Sequence, residues 1–451
     1  MLIYSPAITP RLQYVADFLA GYCRAEIRLT KDAQEYGAAE GWKLNYSDSS
    51  FGEDEIHIVP VPLLFEHDIH PVSIECFEFE GEKAFFKTAG NFPFDILAAI
   101  FYLITRYEEY LPHEKDEYGR YAHRNSLAYK EGFLHLPLIN IWLKKFWEPR
   151  RREDAKEHKG FNVSDLQPAT SNLEPQTFSL LPTYDIDIAW SYRHKGLVRN
   201  AGGWLKSVAG GEWKDAGRRL MVLAGRKQDP YDSYDWMDEL HRKYETDPVY
   251  FFHVGKSRNR YDKNIHPQHP AMRQLVAGTA SRYKTGLHPS WQSGDEPGKI
   301  REELAVLQEM AGVPVIRSRQ HFIRFQMPGT FRQLVEAGIE HDYSMGYGSI
   351  NGFRASVAAP FYWYDLEREE QTRLLLHPFC FMDANSCFEQ KLTPGQALDE
   401  LMHYYHAVKS AGGCMGMIWH NTFLGTDPLF AGWLDVYERF ISLACPPRLP
   451  S

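Results

Sequence analysis

The stretch "SLLPTYDIDIAW", residues 179–190, places two carboxylates, Asp185 and Asp187, in a run otherwise composed as a buried β-strand. Side chains two positions apart on a strand point to the same side, so both acids face one object while Ile186 faces the opposite layer. Two carboxylates on one face repel unless a cation or a shared proton lies between them, and either arrangement is the chemistry of a functional site. The plainer alternative is a strand end in solvent with both acids hydrated.

Other groups of the right kind follow. "GLHPSWQSGD" ends an apolar segment on His288, in a turn made with Pro289 and Ser290, and "GMIWHN" ends another on His420. A lone histidine is ordinarily structural, but catalytic groups collect at the carboxyl ends of strands in a βα-repeat chain. "SRQHFIRF" adds Arg319, His321 and Arg324. Arginines suit carboxylates or sugar hydroxyls, and His321 can serve as ligand or proton carrier; an exposed edge strand is the competing explanation. The glycine-rich "DYSMGYGSINGFRA" packs Asp342, Ser344, Tyr347 and Arg354 into a segment that needs the unusual backbone angles of a binding loop.

The elements that must position these groups read as an α/β chain. Beyond residue 177, "SLLPTYDIDI", "DPVYFFHVG", "KTGLHPS", "VPVIRSR", "EHDYSM", "LLLHPFCFMD" and "GGCMGMIWH" are short apolar strands separated by helical patterns, which implies βα units and a mostly parallel sheet or barrel. "TPGQALDELMHYYHAVKSAGG" is a marked helix: Thr393 and Gln396 have capping-box spacing, Pro394 sits in the first turn and Gly412 follows the end. Nearer the start, "MLIYSP" and "EIHIVPVPLLF" read as strands, and "NFPFDILAAIFYLITRYEEYL" as a helix with Pro93 in its first turn. The polar stretch before residue 178 lacks apolar periodicity, so the expected organisation is an α/β domain over 1–150, a linker over 151–177 and a second domain over 178–445.

Bulk composition agrees with two globular domains in 451 residues, 44% of them hydrophobic and 24% charged. The formal charge of -9 provides no basic stripe of the kind that neutralises phosphates or grips an anionic membrane, which argues against nucleic acid as a partner. Six cysteines without a CxxC pair read as reduced, buried thiols. The start lacks a signal-peptide pattern and no apolar run is long enough to span a bilayer, so the expected location is cytoplasmic. HExxH, P-loop and GxSxG motifs do not occur.

The order of motifs resembles the polysaccharide deacetylase, or NodB-homology, superfamily. The resemblance covers about 178–440 and is nearest to a bacterial branch carrying "SRQHFIRF", "DYSMGY", "GFRA", "PFCFMD" and "IWHN" in this order, with an uncharacterised amino-terminal domain ahead of the catalytic unit. It implies a distorted (β/α)7 barrel and metal-dependent hydrolysis of the amide or ester of an acetylated sugar, here a cell-envelope or capsular polysaccharide or its precursor. In that family the first motif supplies a base and a metal-binding acid, which maps to Asp185 and Asp187 because position 186 is isoleucine. The second motif normally supplies two metal-binding histidines; this chain has His288 and then Gln292. Glutamine is a poor substitute for imidazole, so a divalent metal, zinc as first candidate, needs a third ligand from His321 or, failing that, His253.

The resemblance further implies His420 as the acid for the leaving group, with Arg319, Arg324, Arg354, Tyr347 and Trp291 toward the sugar. Trp190 and Trp419 are further stacking candidates, with core packing the ordinary role of such rings. The alternatives are a metal-free sugar-binding pseudoenzyme and a scaffold of polysaccharide assembly, whose protein partners the sequence does not name.

Overall fold

Thr183, Tyr184, Asp185 and Ile186 are all buried, and they form the end of a strand, Ser179–Ile186, at the centre of a parallel sheet. The computed structural model describes residues 1–52, 55–157 and 177–446, with 148–157 as backbone only. The chain divides into two units: Met1–Ser179 with Gly352–Pro378 and His406–Met415, and Leu180–Asn351 with Phe379–Tyr405 and Gly416–Ser451.

In the second unit the strands lie in the order His341–Asp342, Arg317–Ser318, Lys284–His288, Val249–His253, Ser179–Ile186, Cys414–His420 and Phe381–Met382. Val249–His253 is buried at every position, as expected of a strand covered on both faces. Register explains how distant motifs meet. Ile186 pairs with Phe252, Phe252 with Leu287, Leu287 with Ser318 and Ser318 with Asp342, all in parallel. The next residue along each of the first four strands is therefore Asp187, His253, His288 and Arg319, one row at the carboxyl edge. Phe379 N, just ahead of the Phe381–Met382 strand, donates to Met345 O, just after the His341–Asp342 strand, at 3.1 Å.

The helix Pro394–Ala411 starts as its spacing predicts: Thr393 N donates to Gln396 Oε1 at 2.9 Å and Gln396 N to Thr393 Oγ1 at 3.4 Å.

The first unit holds a four-stranded parallel sheet in the order Arg28–Thr30, Leu2–Tyr4, Lys43–Tyr46 and Ile56–Ile58. Its buried helix is shorter than its sequence pattern suggests, Ile96–Ile104, with Pro93 ahead of it. The start is set by Asp95, whose carboxylate accepts from Ala98 N at 2.9 Å, from Tyr46 OH at 2.7 Å and from Val61 N at 2.8 Å. The antiparallel hairpin of Phe361–Asp365 and Glu370–Leu376 also belongs to this unit, held to Arg11 through Glu369 at 2.5 Å. A helix, Leu138–Glu157, runs into the expected linker; its remainder, 158–176, lies outside the described residues. All six cysteines are free, and among the described residues no helix is long and apolar enough to cross a membrane.

Candidate metal centre

Asp185 and Asp187 converge on one imidazole. His288 Nε2 lies 3.0 Å from Asp187 Oδ1 and 3.7 Å from Asp185 Oδ2. The opposite nitrogen, Nδ1, lies 2.6 Å from Arg319 O, an acceptor that fixes the proton there. In the neutral ring Nε2 then carries a lone pair aimed at a carboxylate oxygen. Asp187 Oδ1 is itself buried with no hydrogen-bond partner among the described residues. Two electron-rich atoms facing each other at this distance need a proton or a cation between them.

His321 approaches the same carboxylate, with Nε2 at 3.4 Å from Asp187 Oδ2 and Nδ1 at 3.0 Å from Asp262 Oδ1. The short turn His321–Ile323 follows directly from the Arg317–Ser318 strand, which brings the ring to the row's edge. Asp187, His288 and His321 each offer one ligand atom, all within 4.8 Å of one another. His253 stands behind them: its Nδ1 is 3.3 Å from His288 O and its Nε2 3.6 Å from Asp262 Oδ1. It forms a second buried group with Asp262 and His321.

The charges around Asp187 are arranged to keep it ionised. Burial works against this, but His321 and His288 outweigh it and hold the carboxyl well below the usual range. Burial also opposes a charge on His321, yet Asp187 and Asp262 raise it to about 9. Burial wins at His253, which falls to about 4 and is neutral at pH 7.

His420 enters from the far side, with Nε2 at 3.6 Å from Asp187 Oδ2 and Nδ1 at 2.6 Å from Asp383 Oδ1. Burial opposes protonation here too, but Asp383, Asp187 and Asp185 together raise the imidazole to about 10. Asp185 is fixed by Arg319, whose Nη1 donates to it at 3.0 Å and to Thr183 Oγ1 at 2.7 Å. The same guanidinium donates through Nε to Tyr343 O at 3.0 Å and lies over the Phe251 ring at 4.5 Å.

Asp185, Asp187, His288, His321 and His420 are thus brought together, whereas the expected sugar-binding set is not. Arg319 is 1% exposed and committed to Asp185, so it orients a carboxylate instead of presenting itself to a ligand. Arg354 belongs to the first unit, bidentate to Glu109 at 2.8 and 2.5 Å. Tyr347 is 1% exposed and packed into the interior. Trp291 is stacked on Tyr261 at 3.8 Å, with Arg324 over it at 4.5 Å and bonded to Asp295 at 2.6 Å. Asp342 turns inward to Ser318 Oγ and Ser344 N at 2.8 and 2.9 Å, and burial raises it to about 6. Trp419 is fully buried, and Trp190 is 6% exposed.

Asp262 and Asp383 are the site residues that the sequence reading missed. Asp383 closes the strand "PFCFMD", the same strand-end position that singles out His288 and His420, so that signal was present. Asp262 lies in the polar loop "KSRNRYDKN", where nothing in spacing sets it apart.

Residues 1–151 match a family of unknown function, DUF7033. No curated protein matches the chain. Solved structures that do match include a candidate polysaccharide deacetylase from Mycobacterium smegmatis, 17% identical over 62% of this chain and 89% of that one, with TM-score 0.39. A second is a candidate polysaccharide deacetylase involved in O-antigen biosynthesis from Bordetella bronchiseptica, 12% identical over 62% of this chain and 96% of that one, TM-score 0.30. A third is a mutant of a CE4-family pseudoenzyme with restored enzymatic activity, 11% identical over 64% of this chain and 78% of that one, TM-score 0.30.

Proposed function

We propose that the second unit is a metal-dependent hydrolase that removes acetyl groups from a carbohydrate, and that its strands form a distorted barrel around the site. The observation that carries the reading is the pair of Nε2 atoms, on His288 and His321, turned by acceptors behind each ring toward the two oxygens of Asp187, of which Oδ1 lacks a hydrogen-bond partner among the described residues. The donor set of two imidazoles and one carboxylate suits a divalent cation such as zinc with a position left open. When bound, the cation would polarise the acetyl carbonyl and make a bound water acidic. The motif order of residues 178–440 supports sugar acetyl groups as the substrate class, and the backbone hydrogen bond from Phe379 N to Met345 O, beside the Phe381–Met382 and His341–Asp342 strands, supports the barrel.

The chain's own residues then divide the proton work. Asp185, oriented by Arg319, takes a proton from the attacking water. His420, held at Nδ1 by Asp383, gives a proton through Nε2 to the departing amine or alkoxide as the acyl bond breaks. Acetate and the free amine or hydroxyl of the sugar are the products. Trp291 packs edge-on against Phe322 of the His321 turn, with Arg324 over its ring.

The test combines metal content with turnover. Purified protein should contain about one equivalent of divalent metal and release acetate from N-acetylglucosamine oligomers or an O-acetylated hexose. Asp185→Asn should keep the metal and lose turnover. Protein that holds no metal, yet binds the same sugars unaffected by chelator, would make it a sugar-binding protein instead.

A further inference from the structure

Between Arg193 and Lys227 the second unit carries a helical hairpin that turns large apolar side chains outward. The helix Leu197–Ala209 buries Asn200 and Ser207, while Leu197 and Val198 are 89% exposed and Leu205 60%. Asn200 Nδ2 donates to Tyr192 O at 2.9 Å, just ahead of the helix, and Ser207 Oγ to Asp215 Oδ2 of the following helix at 2.7 Å, so the polar side is the one turned inward. Leu197, Ala201 and Leu205 recur every fourth residue and make one outward stripe. The next helix, Trp213–Leu223, buries Ala216 and Val222 yet exposes its larger Trp213 at 68%, Leu220 at 52% and Leu223 at 45%. A surface helix of a globular protein turns its apolar stripe to the core. Here, among the described residues, both stripes face outward.

Charge gives the partner's chemistry. Arg193–Lys227 contains nine lysines and arginines against Glu212 and Asp215, in a chain of formal charge -9. The overall charge therefore hides a basic segment. Part of this charge is unanswered within the protein. Arg199 Nη1 is buried without a hydrogen-bond partner among the described residues, and Nη2 reaches only Lys263 O at 3.3 Å. Burial first, then Arg199, draws the Lys195 amine down to about 7.

We propose that the hairpin Leu197–Leu223 docks the protein peripherally on an anionic lipid bilayer, its leucines and Trp213 seated among the acyl chains and its lysines and arginines against lipid phosphates. An anionic polymer alone would satisfy the charges but would leave the apolar stripes in water. The hairpin begins ten residues after Asp187, and Arg199 is bonded to Lys263, the residue after Asp262. Docking would bring the carboxyl edge of the sheet to the membrane. The inference does not depend on metal or turnover at the site.

The experiment is co-sedimentation of the full chain with vesicles, one set of pure phosphatidylcholine and one containing phosphatidylglycerol. Binding should need the anionic lipid and weaken with salt. Leu205→Glu with Leu220→Glu, both at exposed positions, should lower it roughly tenfold or more while circular dichroism, metal content and acetate release from soluble sugar stay unchanged. Trp213→Phe should remove a quenching signal from brominated lipid. Absence of binding to both vesicle types, or equal binding by the double variant, overturns the proposal. So does a dimer in light scattering that the double variant dissolves, since the stripes would then cover a second copy, and so does salt-sensitive binding to RNA that survives the double substitution.

Discussion

His321 Nδ1 lies 3.0 Å from Asp262 Oδ1, and the same ring presents Nε2 to Asp187 at 3.4 Å. A carboxylate behind an imidazole fixes which nitrogen carries the proton and which way the ring faces, and loss of such a partner typically costs 10–100-fold in metal affinity. Asp262→Ala should weaken zinc binding by about that factor, measured by competition with a chromophoric chelator. Asp262→Asn keeps an acceptor oxygen and should lose much less. Equal affinity in all three proteins would remove His321 from the ligand set.

The third ligand can be tested by contrast. His321→Ala should empty the site, whereas Gln292→Ala, at the position where a second imidazole is expected, should leave metal content at the wild-type level. His253→Ala should reduce affinity only modestly, since its contacts are with His288 O and Asp262, not with Asp187. Elemental analysis of the three purified variants decides. Metal lost with Gln292 and kept without His321 would reverse the assignment.

How much of this was legible in the sequence follows from how each residue is used. Asp185, Asp187, His288 and His420 sit at strand ends, where alternation and an abrupt polar residue mark them, and the parallel register through Val249–His253 aligns the strand of the two acids with that of His288. Arg319, Arg324 and Arg354 look alike in sequence because a guanidinium serves a ligand or a buried carboxylate equally well. Only folding shows that Asp185 claims the first and Glu109 the last. Asp262 was invisible because its role is defined by two histidines from other strands, His253 and His321, with no local pattern. The outward apolar side chains of the hairpin were hidden too, since a helical period does not say which face is turned inward.

Arg354 should behave as a structural residue. With Arg106 it surrounds Glu109, which is 4% exposed; burial opposes that charge, but the two guanidinium groups hold the carboxyl at about 2. Removing Arg354 leaves the buried charge with Arg106 alone, at a cost of up to about 3–5 kcal/mol. Arg354→Ala should therefore lower the denaturation midpoint strongly, and the KM for sugar of any folded fraction should be unchanged. A stable variant with a raised KM would return Arg354 to the substrate.

His241 gives the clearest dependence of stability on pH. It is 3% exposed, with Nδ1 at 2.9 Å from Thr246 Oγ1 and Nε2 at 3.0 Å from Tyr250 OH, partners that suit a neutral ring. Burial lowers it from 6.5 to about 4. The unfolded chain thus binds the proton first as the solution is acidified. Stability from this group is fully present above the unfolded value and is lost as pH falls from about 6.5 toward about 4. Between pH 7.5 and 5 the loss should be about 2 kcal/mol. Urea denaturation at the two pH values, compared between the wild type and His241→Gln, reads it directly. The variant should be less stable at pH 7.5 but should lose less on acidification, and an identical pH slope in the two proteins would show that His241 is not buried in its neutral form.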